Sequence, residues 1–231
     1  KKNMDLMESK LGMGRYLEDI EKIRQLLEID KLILLGHSFG GFMAILYAIE
    51  FPENVEKIIL IEPADMIQFP PAHGGLNQIE PWLSDNQLKD YKAFIKEYFS
   101  YGKFFKRTED ELAELNREYG KYYIHALNNR FPEKDWLQDS SVEDEMNGGF
   151  AGHAPFFSLG RKYDYRPLLS KIDSPVLVIH GEQDLFGPET AKEYVSFLPN
   201  AVYNEIPDSS HFPYYENPEV FGRLIETFLN Q

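Results

Sequence analysis

Cysteine is absent from this 231-residue chain, which excludes disulfides and thiolate-ligated metals. Positive charge is scarce. With 24 basic against 38 acidic side chains the net charge is −14, so phosphate backbones and anionic lipid surfaces are repelled unless a basic patch intervenes. Lys103, Lys106 and Arg107 form the nearest approach to one, and Glu109, Asp110 and Glu111 cancel it at once. No nucleic-acid partner is expected. No apolar run approaches the roughly 20 residues of a membrane span, and the first residues lack the apolar core of a signal peptide. The expectation is a protein with no membrane association, in the cytoplasm. The chain opens on Lys1-Lys2, from which a processed, cloned or truncated start is expected.

Hydrophobic residues make up 43% of the chain and aromatics 14%, enough to bury a core. From residue 14 to 29 the residues Leu17, Ile20, Ile23, Leu26 and Leu27 recur with helical spacing and predict an amphipathic helix. Leu32 to Leu35 is wholly apolar and ends at Gly36; Phe42 to Glu50 is helix-forming again. Helix, buried strand, tight turn and helix define an α/β class. Three more strands are predicted at Val55 to Ile61, Pro175 to Ile179 and Ala201 to Ile206, parallel to the first, with helices at Pro188 to Leu198 and Pro218 to Asn230. Asn217 can cap the last helix, with Pro218 at its first position.

Between Pro63 and Tyr165 the alternation stops. A structureless loop of that length does not belong in a compact domain. Helical patterns at Gln87 to Phe99 and Glu109 to Asn128 predict an inserted helical cap over one end of the sheet, giving a core at 1–63 and 166–231 and a cap at 64–165. Its aromatics, among them Tyr91, Phe94, Tyr98 and Tyr122, serve either as the wall of a substrate pocket or as the insertion's own small core.

The chemistry concentrates after the strands. Gly36-His37-Ser38-Phe39-Gly40-Gly41 lies between a buried strand and a helix, the context of a nucleophile elbow. A serine on so sharp a turn is strained, and Gly36 and Gly40 are expected to be glycine because a side chain there would strike the neighbouring strand or helix. The Phe39 N–H, at the helix start, faces a developing oxyanion. A serine hydroxyl needs a base, and the base an orienting acid. His211, in Asp208-Ser209-Ser210-His211-Phe212-Pro213, follows the last strand, and Asp184 follows the strand before it. The order Ser38, Asp184, His211 is that of a triad on this kind of sheet. Glu62 and Asp65, after the second strand, are the alternative acid position. His37 is expected to pack, His180 to bond backbone, His73 to sit in a glycine loop, and His153 to mark a turn. No two histidines have the i, i+4 spacing of a helical zinc site, so neither metal nor cofactor is expected.

These motifs, with Val176 to Asp184 and Glu216-Asn217-Pro218-Glu219, resemble the α/β-hydrolases of the proline iminopeptidase and related lidded group. The resemblance runs over nearly the whole chain. It implies a cofactor-independent serine hydrolase whose substrate is a small peptide or amide with a free N-terminus; an ester, a carbon–carbon bond beside a ketone, or a non-catalytic ligand-binding role are the alternatives. Members of the group carry further strands before the elbow and take a second oxyanion donor from that region. A missing N-terminal segment is therefore expected to complete the sheet. Iminopeptidases also hold the substrate amine with cap glutamates; at the corresponding segment, Ala126 to Phe131, Leu127 takes the place of one, and Glu143, Asp144 and Glu145 are the candidate replacements.

Overall fold

A computed structural model describes residues 12–134 and 150–231. They divide into two units, 17–78 with 162–231, and 12–16 with 79–134 and 150–161. In the first, β1 (Leu32–His37), β2 (Val55–Ile61), β5 (Val176–Gly181) and β6 (Ala201–Ile206) form a sheet in the order β1-β2-β5-β6. Every neighbouring pair is parallel, as expected from the strand–helix alternation. A two-residue antiparallel pair, β3 (Gln68–Phe69) with β4 (Tyr163–Asp164), lies outside that sheet.

Sequence and sheet agree for a physical reason. β5 is apolar along its length because it is an interior strand, and all six of its residues are buried. The helix after the elbow, α2 (Phe39–Glu50), packs on β1 and β2, and α8 (Pro188–Phe197) on β5 and β6. The last helix, α10 (Pro218–Leu229), is capped by the Asn217 side chain, which accepts the Val220 N–H. Its Val220, Phe221, Leu224, Ile225 and Phe228 cover Ile59, Ile61, Leu177, Ile179 and Ile206, the alternate residues of three strands. Each such buried side chain contributes about 1.5–3 kcal/mol. Lys57 on β2 donates to the Phe228 and Leu229 carbonyls at 3.1 and 2.8 Å, meeting two acceptors that a helix end leaves open.

One expectation is corrected here. The helix α1 (Met13–Leu26) does form and buries Leu17, but the later part of its apolar stripe is not covered: Ile23, Leu26 and Leu27 are 55, 73 and 63% exposed. What α1 buries instead is Glu21, which accepts from Tyr47 Oη, Asn54 Nδ2, Gln25 Nε2 and the Arg24 guanidinium. Arg24 and the Tyr47 hydroxyl hold its carboxyl at about 2, outweighing the desolvation that works against them. In the described sheet β1 is an end strand, with Ile33 and Leu35 46 and 55% exposed.

The second unit is helical: α3 (Asp85–Tyr98), the short α4 (Tyr101–Phe104), α5 (Glu109–Arg130) and α6 (Phe150–Ser158). Both long helices open with a capping box, Ser84 with Gln87 and Thr108 with Glu111. Tyr91, Phe94, Tyr98, Tyr119 and Tyr122 interlock across α3 and α5 at ring separations of 5.3 to 6.4 Å. A second cluster joins Phe104, Leu112 and Ala154 with Phe105, Leu115 and Phe157. These aromatics are the unit's own core. His153, read from sequence as a turn residue, is helical and buried, its ring 5.2 Å from that of Tyr98. Glu143, Asp144 and Glu145 lie outside the described residues. No helix among the described residues is long and apolar enough to cross a membrane.

Candidate active site

The turn after β1 has the strain its sequence predicts. Ser38 sits at φ 52°, ψ −116°, a conformation unfavourable for any residue with a Cβ, and backbone hydrogen bonds hold it there. Its N–H donates to the Ile61 carbonyl at 2.8 Å, and its own carbonyl accepts from Gly41 and Ala64 at 3.0 and 3.1 Å. Phe39 is the first residue of α2, so its N–H has no partner within the helix. The glycine requirement falls partly elsewhere than expected. A Cβ on Gly36 would meet the Gly40 carbonyl oxygen at 2.3 Å, whereas one on Gly40 meets nothing within 4 Å among the described residues; the tight second position is Gly41, 3.1 Å from the Gly36 oxygen.

His211 and Asp184, the base and acid expected from the sequence, lie in the turns after β6 and β5. His211 Nδ1 donates to Asp184 Oδ2 at 2.8 Å, which leaves Nε2 as the basic nitrogen. Asp184 is 2% exposed, and its Oδ1 also accepts the Phe186 N–H at 3.1 Å. Burial alone would raise the Asp184 pKa, but attraction and hydrogen bonding from His211 outweigh it and hold the carboxyl well below the usual range.

The loop carrying His211 is pinned from several sides. Glu216 accepts the Ser210 N–H at 2.6 Å, the Ser210 hydroxyl at 2.5 Å and the Phe212 N–H at 3.3 Å. Gly181 is required there, since a Cβ would stand 2.3 Å from the Ser210 oxygen. Glu216 belongs to the Glu216-Asn217-Pro218-Glu219 motif of the sequence, but nothing in the sequence assigns it this role.

His37 ties the elbow to the base. Its Nε2–H donates to the His211 carbonyl at 2.8 Å, and the two rings lie 4.8 Å apart. Because a carbonyl only accepts, the His37 tautomer is fixed. Burial first, and the neighbouring His211 second, push its pKa down to about 3. Packing is what the sequence predicts for His37, but the contact is with the base itself.

Two other expectations change. His180 bonds a side chain, not backbone: its Nδ1 lies 2.7 Å from Glu62 Oε2. His73 also reaches a carboxylate, Glu193 Oε2 at 3.0 Å, while Asp65 Oδ2 accepts the His73 and Gly75 N–H groups. Thus of the two alternative acids neither bonds His211 in the observed hydrogen bonds; Glu62 serves His180 and Asp65 the glycine loop. Glu62 with His180 and Asp184, and Asp65 with His73 and Glu193, are the described groups whose donors lie within 4.8 Å of one another. Their members are distant in sequence, so i, i+4 spacing could not reveal them. Each His–carboxylate pair has its own hydrogen bond, and Arg166 Nη1 stands 3.4 Å from Glu193 in the second group.

The turns that carry Ser38, Asp184 and His211 follow β1, β5 and β6 of one parallel sheet, and comparison with known proteins gives the class. The chain belongs to the alpha/beta hydrolase fold family, whose profile matches residues 2–218. It is 26% identical over 226 residues to a proline iminopeptidase of Heyndrickxia coagulans, covering 94% of this chain and 73% of that protein. It is 24% identical over 230 residues to a mouse (lyso)-N-acylphosphatidylethanolamine lipase, covering 93% and 63%. Among solved structures, VinJ superposes with a TM-score of 0.66 at 18% identity, over 96% of this chain and 74% of that one.

Proposed function

We propose that this chain carries the site of a cofactor-independent serine hydrolase, with Ser38 as nucleophile, His211 as general base and acid, Asp184 as the residue that orients it, and the Phe39 N–H as one oxyanion donor. The observation that carries the reading is the 2.8 Å His211–Asp184 hydrogen bond beside a strained Ser38, with the residue before that serine bonded to the His211 carbonyl. In the reaction the Ser38 Oγ–H proton passes to His211 Nε2 as Oγ bonds the substrate carbonyl carbon and the carbonyl electron pair moves to oxygen. Asp184 steadies the resulting imidazolium. His211 then returns the proton to the leaving nitrogen or oxygen, the acyl-enzyme forms, and water resolves it by the same steps in reverse.

The substrate reading is a small peptide or amide with a free N-terminus, supported by the similarity to an iminopeptidase over 94% of this chain. An ester or acyl-lipid substrate is the second reading, supported by the likeness to a lipase and by Leu127, buried and apolar where the peptidase reading wants a glutamate. The helical unit is proposed to act as the cap that sets this choice. The exposed apolar β1 is proposed to pair with a preceding segment of the same polypeptide, which would bring the second oxyanion donor; loss of such a donor costs about 10²–10³ in rate.

Labelling with a fluorophosphonate tests the nucleophile, and prolyl-naphthylamide against nitrophenyl acetate tests the substrate. Expected are one adduct on Ser38, none on S38A, and turnover of the amide. Fast ester turnover with an inert amide would replace the peptidase reading with the esterase one, and no adduct in the presence of the completing segment would overturn the serine mechanism.

A further inference from the structure

The turn after β2 holds a buried acid that the triad leaves unused. Glu62 is 3% exposed and adopts φ 44°, a left-handed backbone unfavourable for a residue other than glycine. Such strain persists only where the surroundings over-determine it, and here they do. The Glu62 N–H donates to the Ile179 carbonyl at 2.9 Å, its Oε1 accepts the Gly181 N–H, and its Oε2 lies 2.7 Å from His180 Nδ1. A carboxyl oxygen of Glu62 also lies within 4.8 Å of one of Asp184.

Counting protons settles what kind of group this is. Two carboxylates have no hydrogen to share, so a bond between them requires one to be protonated, and two adjacent buried carboxyls cannot both ionise without a large cost. Asp184 accepts from His211 and from the Phe186 N–H, an environment that favours its charged form. Glu62 has no cation opposite it. The titratable groups facing it are Asp184, His180, Glu216 on α9 (Pro213–Glu216) and Tyr203 on β6. Nor can His180 hold the extra proton cheaply, being 2% exposed with an Nε2 that has no hydrogen-bond partner. If its single proton is on Nδ1 it donates to Glu62, and only a lone pair is left unmet. An N–H aimed at each Glu62 oxygen also repels a cation, so these three residues form a hydrogen-bond network in preference to a metal cage.

We propose that Glu62 is a positioning residue of the hydrolase site, a neutral carboxylic acid that donates its O–H to Asp184 and so fixes the acid that orients His211. The proposal rests on the serine-hydrolase reading above. Burial and the charge of Asp184 push the Glu62 carboxyl well above the usual range, in the same direction. With Glu62 in place Asp184 accepts three donors, and the acid, base and Glu62 together carry a single negative charge. Replacing Glu62 by alanine removes one donor, while glutamine keeps a neutral donor of the same shape.

Two measurements on the full chain test this, with E62Q and E62A. Infrared spectroscopy near neutral pH should show a protonated-carboxyl C=O band, shifted by deuterium, that E62Q lacks; its absence from the wild type overturns the neutral acid without any recourse to activity. The pH profile of Ser38 labelling by a fluorophosphonate should fall about tenfold in E62A and recover in E62Q, with the acid limb of E62Q within a few tenths of a unit of wild type. An acid limb lowered by about one unit in E62Q would mean that Glu62 carries charge, and an E62A profile like wild type would mean that it positions nothing; either overturns the proposal. A wild-type chain that never labels would overturn the serine reading and the positioning role with it, and the infrared band separates that failure from one of the neutral acid.

Discussion

His37 shows how one side chain links the parts of the site. Its ring is neutral, its Nε2–H occupied by the His211 carbonyl, and its pKa depressed to about 3 by burial. The unfolded chain binds the proton near pH 6.5 and the folded chain does not, so folding stability rises with pH between about 3 and 6.5 and is lost as acid is added through that window. Replacing His37 by asparagine should flatten the pH dependence of the urea midpoint there. An unaltered slope would show that His37 is not buried neutral. The residues proposed as the triad stand out in the sequence because each follows a predicted strand. The roles of Glu62 and Glu216 do not, since a carboxylate's role depends on what the fold brings opposite it, and their partners are up to 119 residues away.

At the scale of elements, the elbow glycines separate backbone need from habit. A Cβ on Gly36 would overlap the backbone of the following helix at 2.3 Å, a collision no rotamer relieves. Gly36→Ala is therefore expected to abolish soluble folding or the elbow geometry. Gly40→Ala, with open space around its Cβ, should raise stability by roughly 0.5–1 kcal/mol through helix propensity. Thermal melts of the two variants check both, and a destabilised G40A would mean that something packs there that the described residues do not include. The strands β2 and β5 were readable from sequence because their apolar runs are also buried. The pair β3–β4 was not, because two residues carry no period, and the stripe of α1 misled because periodicity reports what a face can bury, not what is present to cover it.

For the whole molecule, the balance lies between an acidic surface and an apolar edge. Ile33 and Leu35 project from β1, whose outer backbone groups are unpaired within the sheet, and such an edge is a template for another strand. The chain as given should self-associate with rising concentration, and salt should strengthen this by screening its net charge of −14. Light scattering on wild type and on Ile33→Lys/Leu35→Glu checks it; a wild type that stays monomeric in high salt would show that the edge is protected. The inner ladder behaves differently. The amides of Ser38, Glu62 and Glu182 donate across the sheet to Ile61, Ile179 and Ile206, at 2.8 to 2.9 Å, so the site is built on the last rungs that join the four strands. In hydrogen–deuterium exchange these three amides should be among the slowest and should exchange together, on the free-energy scale of global unfolding. Ser38, Glu62 and the root of the Asp184 turn would then become accessible only when the sheet itself comes apart, so their exchange clock would report how often the whole sheet opens.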